Sequence, residues 1–339
     1  MAGGEIAVLH YGLGPIGAET LRLVAERPGL RIVGAVDIDP DKIGRDAGEV
    51  AGGGRTLGVT ISGDAERVLS EARPDVVVHC TGSFLADVMP QLRSLVAAGA
   101  GVVSTCEELS YPWPRQSALA AEIDALARAK GVAVLGTGVN PGFVMDLLPL
   151  VLSAVTARVR SVRVTRVVDA AHRRGPLQRK IGAGITAEEF AQRAASGRMG
   201  HVGLAESLYM LAAGLGWELS TIEDTLEPVL ATAEIQTPHA RVAPGQVAGI
   251  HQVARGRTAT GPAGASAGIE LDLAMFVGAS DPRDEVVIEG NPGAHLLIPG
   301  GVFGDSATAA IVANAIPAVR SAAPGLRTMR DLAPVGSRQ

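Results

Sequence analysis

The chain has 339 residues, of which 47% are hydrophobic and 19% charged, and its net charge is −5. This composition is that of a folded α/β protein and excludes a largely disordered chain. Charges of both signs are scattered and no basic run is present, so we expect no nucleic-acid partner.

The cysteines and the apolar stretches predict the compartment. Cys80 and Cys106 are the two cysteines, too few for a disulfide framework, which favours a reducing environment. Strand character begins at Ile6 without a signal-peptide pattern before it. The apolar stretch at 132–157 is interrupted by proline and polar residues, so we expect no membrane span. A cytoplasmic protein is predicted.

The first elements in chain order are a strand, a glycine turn, a helix and a second strand. Residues 5–10 read as a strand, and the turn GLGPIG follows at 12–17. A helical pattern runs from Pro15 to about residue 27, and residues 31–36 form the second strand, which ends at Asp37. Asp37 lies 20 residues after Gly17, the spacing of a carboxylate that binds the cofactor ribose.

The glycines of this turn are the residue types that a pyrophosphate requires. Gly12 permits a tight turn, Gly14 lets the backbone approach the phosphates, and Gly17 lets the helix pack closely on the strand. The N-terminus of the helix, at Pro15 and Ile16, offers N–H groups and the positive end of the helix dipole. We therefore expect NAD(H), NADP(H) or both as cofactor, with NAD bound at least as well because Asp37 repels a 2′-phosphate. Arg45, close in the sequence, could still admit NADP.

Strands and helices continue to alternate up to about residue 135. Strands are predicted at 75–79, 101–104 and 132–135, and helices at 84–98 and 115–130. This alternation predicts a Rossmann-type doubly wound parallel sheet whose ligand lies at the carboxyl ends of the strands. The residues at those ends that we expect to contact the cofactor are Thr81, Gly82, Ser83, Cys106 and Asn140.

The second half has a different pattern. Strands are predicted at 159–168, 229–236, 246–254, 267–277, 285–289 and 294–298, with helices between the first two. We expect a dinucleotide-binding domain at 1–140, to which a C-terminal helix at 305–320 returns. A second α+β domain on an open mixed sheet, at 141–304, would bind substrate and form oligomers. Its exposed strand edges favour a homodimer.

The acidic pair Glu107-Glu108 follows a predicted strand directly, beside the expected nicotinamide position. A carboxylate there can handle the substrate proton, and Glu107 is nearer the strand end. Cys106 is an alternative as a nucleophile for aldehyde oxidation, although a small buried cysteine is commoner.

The remaining polar residues give weaker indications. No two histidines have metal-ligand spacing, so no metal site is predicted. His201 begins a predicted helix and is a candidate for the substrate pocket or for a structural role. Arg166 is the first of several basic residues that could bind a substrate carboxylate or simply be solvated; the others are Arg173, Arg174, Arg179 and Lys180.

Together, these motifs resemble the 2,4-diaminopentanoate dehydrogenases and the related native amine dehydrogenases, whose fold is related to that of dihydrodipicolinate reductase. The resemblance covers most of the chain. The most specific stretches are STCEELSYPW at 104–113 and LGTGVNPGFVMDLLP at 135–149, and others are VGAVDIDPDKIGRD at 33–46, TGSF at 81–84, VTR at 164–166, GHVGLAES at 200–207 and GWELSTIEDTLEPV at 216–229.

The resemblance implies an NAD(P)-dependent amine dehydrogenase that interconverts an amine with a ketone or aldehyde and ammonia. It implies that Glu107, or its neighbour Glu108, contacts the reacting nitrogen. Asn140 and Phe143 would line the nicotinamide and substrate pocket, with Met145 close to them. The segment AAHRRGPLQ at 170–178 falls where family members vary, which leaves the substrate open.

Three other functions remain open. One is a dehydrogenase of an alcohol or aldehyde, which ammonia dependence would separate from an amine dehydrogenase. A second is a reductase of the dihydrodipicolinate reductase type, whose His-His and Ser-Gly-Thr signature is absent. Sugar dehydrogenases carry a lysine base after the equivalent strand. This lysine is also absent, because the lysines of this chain are Lys42, Lys130 and Lys180, none of which follows that strand. The third is a non-catalytic NAD-binding sensor, which would not need a carboxylate at the nicotinamide.

Overall fold

The computed structural model describes residues 4–52, 54–197, 199–259 and 267–337. The chain divides into two compact units. The first takes in the described residues of Met1–Phe143 and Phe303–Gln339, and the second is Val144–Val302.

The described residues of the first unit form a seven-stranded sheet with six helices. Its strands are β1 (Ile6–Tyr11), β2 (Leu30–Val36), β3 (Ile61–Ser62), β4 (Val76–His79), β5 (Gly101–Ser104), β6 (Ala133–Gly136) and β15 (Gly325–Arg327). Its helices are α1 (Pro15–Ala25), α2 (Ala47–Val50), α3 (Ala65–Ala72), α4 (Leu85–Ala97), α5 (Ser117–Lys130) and α10 (Gly304–Ser321). Short 3-10 turns lie at Glu107–Ser110 and Met329–Asp331.

Every strand pair in this sheet is parallel, in the order β15-β6-β5-β4-β1-β2-β3. The central strands β4 and β5 are buried along their whole length, as expected when helices cover both faces of a parallel sheet. On one face, Leu92 of α4 and Ile123 of α5 share a core cluster with Val102. Helix α10 packs against α1, β4 and β5. The prediction of a doubly wound parallel sheet is confirmed.

The described part of the second unit contains a six-stranded sheet, a short two-stranded sheet and four helices. Its strands are β7 (Arg158–Asp169), β8 (Leu219–Leu230), β9 (Ile235–Gln236), β10 (Arg241–Val242), β11 (Val247–Thr258), β12 (Gly268–Phe276), β13 (Arg283–Asn291) and β14 (Ala294–Pro299). Its helices are α6 (Leu147–Leu152), α7 (Gly175–Lys180), α8 (Ala187–Ala195) and α9 (Leu204–Gly214), with a 3-10 turn at Ser153–Val155.

The large sheet of this unit has the order β14-β13-β7-β12-β11-β8, and β9 pairs with β10. Strand β7 is parallel to β12 and antiparallel to β13, and the other neighbours are antiparallel. The predicted open mixed sheet is therefore confirmed.

The predicted strand at 229–236 is wrong as one continuous strand, because 229–230 end β8 and Ile235–Gln236 form the separate strand β9. Strand β8 ends at Leu230, and residues 219–228, which form most of it, were not predicted as a strand. This segment contains Asp and Glu residues, which are rare in strands. It is extended because its backbone pairs with β11 along its length, a long-range interaction that local residue preference does not reveal.

Among the described residues, no helix combines the length and the apolar character needed to cross a membrane.

Candidate active site

The glycine turn between β1 and α1 has the tight geometry that its sequence predicts. Gly12 has a φ of +94°, and a Cβ added to it would lie 2.5 Å from the carbonyl oxygen of Cys80. A Cβ on Gly17 would overlap the carbonyl oxygen of Gly12. Gly14 differs, because a Cβ there would meet no atom within 4 Å. Two glycines are therefore required by packing, whereas the third borders open space.

Helix α1 begins at this open position. Gly14 is its N-cap residue and supplies no side-chain cap, and Pro15 occupies the first turn. A helix start without a side-chain cap presents its backbone N–H groups and the positive end of its dipole. The residues present therefore fit the pyrophosphate of a dinucleotide.

Asp37, directly after β2, is only 8% exposed. Its Oδ2 accepts a hydrogen bond of 2.6 Å from the backbone N–H of Leu13, which ties the acid to the glycine turn. Its Oδ1 accepts one from the N–H of Asp39 at 2.9 Å. The ammonium of Lys42 lies 3.5 Å from Oδ2 of Asp37 and 3.1 Å from Oδ2 of Asp39. The acid therefore lies beside the turn, as predicted, with a cation that sequence reasoning did not assign to this position.

Ile38 follows Asp37 and is 87% exposed, the most exposed of the large apolar side chains in the described residues. Ile43, in the same loop, is 42% exposed. In the sequence, the signal for this apolar surface is an isoleucine between two aspartates, Asp37 and Asp39.

The sheet order places four strand ends side by side. Backbone hydrogen bonds continue the parallel ladder past the strands, from Cys80 N to Tyr11 O (2.8 Å), from Thr105 N to His79 O (2.9 Å) and from Thr137 N to Ser104 O (2.8 Å). The loops after β1, β4, β5 and β6 thus begin at one edge of the sheet. The predicted cofactor residues Thr81, Gly82, Ser83, Cys106 and Asn140 lie on these loops, as does the glycine turn, whereas Asp37 follows β2.

The two neighbouring acids after β5 have different surroundings. The side chain of Glu108 is buried, and its Oε2 accepts a 2.7 Å hydrogen bond from the backbone N–H of Leu85, the first residue of α4. Gln116 Nε2 lies 3.5 Å from the same oxygen. Glu107 is half-buried and begins the 3-10 turn. Glu108 therefore stabilises the start of α4, whereas Glu107 lies nearer to solvent at the strand end.

Cys106 has a side chain that is 1% exposed, and its thiol lies 3.3 Å from the carbonyl oxygen of Ser83. Burial raises the pKa of this thiol well above its usual range, and burial raises the pKa of Cys80 to about 12. A thiolate is needed for nucleophilic attack. The surroundings of Cys106 therefore disfavour its alternative role as a nucleophile and favour a role in holding the loop.

The segment after β6 carries Asn140 and Phe143. Asn140 is 8% exposed and Phe143 is half-buried. The peptide bond between Asn140 and Pro141 is cis. The N–H of Val139 donates to Oγ1 of Thr308 in α10 at 3.2 Å, which holds the segment against a helix of the same unit.

Three predicted pocket residues lie in the second unit. Met145 is fully buried, and the backbone N–H of His201 donates to Oε1 of Gln252 at 2.8 Å. Arg166 is buried in β7, where Nη1 lies 2.6 and 2.7 Å from the two carboxylate oxygens of Asp284 and Nη2 donates to the carbonyl of Val302. The charge of Arg166 is thus balanced by Asp284 inside the second unit. This gives no support to its predicted contact with a substrate carboxylate.

The part of the chain that the structure describes contains no group of three or more His, Cys, Asp or Glu side chains placed to hold a metal ion.

The parallel sheet, the glycine turn and the open helix start define a Rossmann-type dinucleotide-binding fold. Two family models match the chain. Residues 6–105 match the N-terminus of dihydrodipicolinate reductase, and residues 143–337 match the 2,4-diaminopentanoate dehydrogenase C-terminal domain.

Individual proteins give the same result. The chain is 32% identical to 2,4-diaminopentanoate dehydrogenase of Acetoanaerobium sticklandii over 97% of this chain and 93% of that protein. It is 31% identical to an amine dehydrogenase of Streptomyces virginiae over 48% of this chain and 46% of the relative. The solved structure of an amine dehydrogenase from Mycobacterium smegmatis is similar with a TM-score of 0.88 and 30% identity, covering 99% of this chain and 98% of that one. This chain belongs to the 2,4-diaminopentanoate dehydrogenase family, which confirms the resemblance found in its motifs.

Proposed function

We propose that this chain is an NAD(P)-dependent amine dehydrogenase, which oxidises an amine to a ketone or aldehyde plus ammonia and performs reductive amination in reverse. The observation that carries the proposal is the position of Glu107. Glu107 is a half-buried acid at the carboxyl ends of the parallel strands, where the glycine turn also lies. The chain that carries it belongs to this family. Glu108, the neighbour of Glu107, is engaged with the start of α4.

The first unit supplies the groups that would hold the cofactor. The open side of Gly14 and the uncapped start of α1 fit the pyrophosphate, and Asp37 is placed to accept hydrogen bonds from ribose hydroxyls. The exposed face of Ile38 offers an apolar surface for the adenine ring. Thr81, Gly82 and Ser83 follow the neighbouring strand β4. A nicotinamide ring, when bound, supplies the group that accepts hydride from the carbon bearing the nitrogen.

Glu107 supplies the proton chemistry in this proposal. Its carboxylate takes a proton from the substrate ammonium, which frees the lone pair of the nitrogen. Its negative charge then stabilises the cationic carbon–nitrogen double bond of the oxidised substrate. Water then adds to the carbon of this double bond, the carboxyl group moves the water proton to the nitrogen, and the carbon–nitrogen bond breaks to release ammonia and the carbonyl product. Asn140 and Phe143, on the loop after β6, would line the substrate pocket in this proposal.

Lys42 makes the chain able to accept NADP as well as NAD. Asp37 alone would repel a 2′-phosphate, but the Lys42 ammonium lies between the carboxylates of Asp37 and Asp39. A lysine there reduces the local negative charge and can itself contact a phosphate. Both cofactors are therefore expected to bind, with NAD at least as well as NADP.

A homodimer that forms through the second unit in the cytoplasm completes the proposal. Across one face of the large sheet, Glu270 lies between Arg163 (3.0 Å) and Arg255 (2.8 Å). A face with alternating charges of this kind can pair with its own copy about a two-fold axis. Sedimentation across a broad concentration range tests this, and a monomer throughout would contradict it.

Ammonium dependence tests the activity. Consumption of NADH or NADPH is followed with a panel of ketones and aldehydes, each with and without ammonium, and the reverse reaction is followed with the corresponding amines. The proposal expects turnover with carbonyl substrates only when ammonium is present. Equal turnover without ammonium would identify an alcohol or aldehyde dehydrogenase, and binding of NADH without turnover on any substrate would favour a sensor.

A further inference from the structure

A series of hydrogen bonds, the hydrogen-bond chain, lies at the carboxyl ends of β4 and β5. It is centred on His79, the last residue of β4. The imidazole is fully buried. Its Nδ1 lies 2.8 Å from Oγ of Ser104, and its Nε2 lies 2.7 Å from Oε1 of Gln91 and 2.9 Å from Oγ1 of Thr81. Oγ of Ser104 also accepts a hydrogen bond from the backbone N–H of Cys106 at 3.1 Å. The imidazole thus links the loops that follow β4 and β5.

The directions of these hydrogen bonds follow from the donors available. Oε1 of Gln91 can only accept, so the ring proton lies on Nε2 and donates to it. In the neutral ring Nδ1 is then the acceptor, and it accepts from the hydroxyl of Ser104, whose oxygen accepts from the N–H of Cys106. Thr81 also donates to Oε1 of Gln91 at 2.6 Å. Each group in the chain has a matching partner only when the imidazole is neutral.

Burial favours that neutral form, because it lowers the pKa of His79 to about 4. The side chain within aromatic contact is Tyr11, whose ring centroid lies 5.7 Å from that of His79. No ion pair of His79 occurs among the described residues, so its interactions are those of a neutral ring with one donor and one acceptor. A neutral imidazole of fixed tautomer is a rigid connector rather than a proton carrier.

The two ends of this hydrogen-bond chain lie at the proposed active site. Thr81 is exposed on the loop expected to contact the cofactor. At the other end, Cys106 directly precedes Glu107, and Glu108 N donates to Ser83 O at 3.3 Å. The backbone on either side of Glu107 is therefore fixed by hydrogen bonds, on one side through Ser104 and His79.

We propose that His79, through Ser104, is the positioning residue that fixes the backbone of Glu107 relative to the loop of Thr81 at the cofactor site. This inference rests on the proposed function for its kinetic consequence, whereas its structural content does not depend on any activity. His79 touches no reacting atom in this proposal. It acts through Ser104 and the N–H of Cys106.

Four variants separate this role from a general effect on folding. His79→Leu removes both polar atoms, whereas His79→Asn keeps an acceptor near the position of Nδ1. Ser104→Ala breaks the hydrogen-bond chain one step later, and it is the variant to be measured if His79→Leu does not fold. Ser94→Ala is the matched control, because Ser94 is exposed on α4 and, among the described residues, its hydroxyl donates to the carbonyl of Pro90 alone.

The first measurement is amide hydrogen exchange in the unliganded protein, and it requires no catalysis. We expect faster exchange at residues 105–108 in His79→Leu and Ser104→Ala, with unchanged exchange at residues 12–17, and near-normal exchange in His79→Asn and Ser94→Ala. The second measurement is single-turnover oxidation of the amine. Displacing a reacting group by a distance of the order of 1 Å costs about 10²-fold in rate. We expect a loss of that size in His79→Leu and Ser104→Ala, with recovery in His79→Asn.

The results can contradict the inference in two ways. Unchanged exchange at residues 105–108 in both disruptive variants would show that the chain does not fix this loop. Faster exchange with an unchanged rate would show that the fixed loop does not matter for the reaction. If the wild-type protein oxidises no amine, the proposed function fails, and the exchange measurement still decides whether His79 holds the loop.

Discussion

The carboxylate of Glu108 accepts a hydrogen bond of 2.7 Å from the backbone N–H of Leu85, and this contact separates the roles of two adjacent glutamates. An acid that satisfies the first N–H group of a helix contributes to folding. Glu107, one residue earlier, starts a 3-10 turn at the strand edge and is half-buried. Glu108 therefore caps a helix, and Glu107 is the acid of the pair that we propose for the chemistry.

Substitution by glutamine distinguishes these two roles. Glutamine can still accept a hydrogen bond but cannot accept the substrate proton. Glu107→Gln is therefore expected to lower the rate of hydride transfer about 10²–10⁴-fold. Glu108→Gln is expected to keep most of the rate and of the stability, whereas Glu108→Ala is expected to lose about 1.5–3 kcal/mol of unfolding free energy. Single-turnover kinetics and urea unfolding measure the two effects. An inactive Glu108→Gln beside an active Glu107→Gln would reverse the assignment.

The glycine turn allows binding and folding to be tested at neighbouring positions. Gly14→Val places a side chain in the open space at the start of α1, so we expect a normally folded protein with greatly weakened NADH binding. Gly17→Ala is the comparison, because its methyl group would overlap the carbonyl of Gly12 and must disturb the packing of α1. NADH fluorescence titration and circular dichroism provide the readouts. Normal NADH affinity in Gly14→Val would place the pyrophosphate elsewhere.

Lys42 is expected to affect the two cofactors differently. A hydrogen bond to a charged group contributes about 1.5–3 kcal/mol, so Lys42→Ala is expected to weaken NADP binding about 10-fold or more. NAD binding should change little, because its ribose hydroxyls still meet Asp37. Arg45→Ala is the control, since Arg45 is an exposed cation of the same loop. Titrations at low and high salt measure both affinities. Equal weakening of NAD and NADP in Lys42→Ala would contradict the selective role.

The buried pair Arg166 and Asp284 is expected to stabilise the second unit. Removing one member of a buried ion pair leaves an uncompensated charge and costs about 3–5 kcal/mol. Arg166→Met and Asp284→Leu should each destabilise the protein by roughly this amount, and the double variant should recover part of the loss. Urea unfolding of the three variants tests this. If Arg166→Met is as stable as the wild type and differs only in a raised KM for the amine, Arg166 binds the substrate instead.

His10 is expected to make stability depend on pH. It is fully buried in β1, neither ring nitrogen has a hydrogen-bond partner in the described residues, and burial lowers its pKa to about 3. Between about pH 6.5 and that value the unfolded chain binds a proton that the folded chain excludes. The contribution of His10 is therefore fully present above about pH 6.5 and is lost as the pH falls.

The variant His10→Leu removes this proton linkage. At one pK unit per 1.36 kcal/mol, lowering the pH from 7.5 to 5 should cost the wild type about 2 kcal/mol more than the variant. Urea unfolding at both pH values measures the difference. The variant is also expected to be at least as stable at pH 7.5, because it removes a buried polar ring without protein partners. Parallel losses in both proteins would show that His10 does not titrate in this range.

The cofactor half could be predicted from the sequence because its signals are local. The spacing of Gly12, Gly14 and Gly17 and the position of Asp37 describe two strands with one turn and one helix between them, and the structure has each of them. Apolar runs buried on both faces, such as β4, indicate a parallel sheet without further information. The motif at 104–113 also indicated the family before any fold was known.

The tertiary structure decided the questions that depend on distant residues. The sequence left Glu107 and Glu108 open as alternatives, and the N–H of Leu85, more than twenty positions earlier, separates their surroundings. The sequence offers Arg166 as a substrate-binding candidate, and its partner Asp284 lies on β13, more than a hundred positions away. The edge strand β8 is extended only because β11 lies beside it. A residue's type and its local pattern determine what it can do, but the partner that engages it is determined by chain segments that only folding brings together.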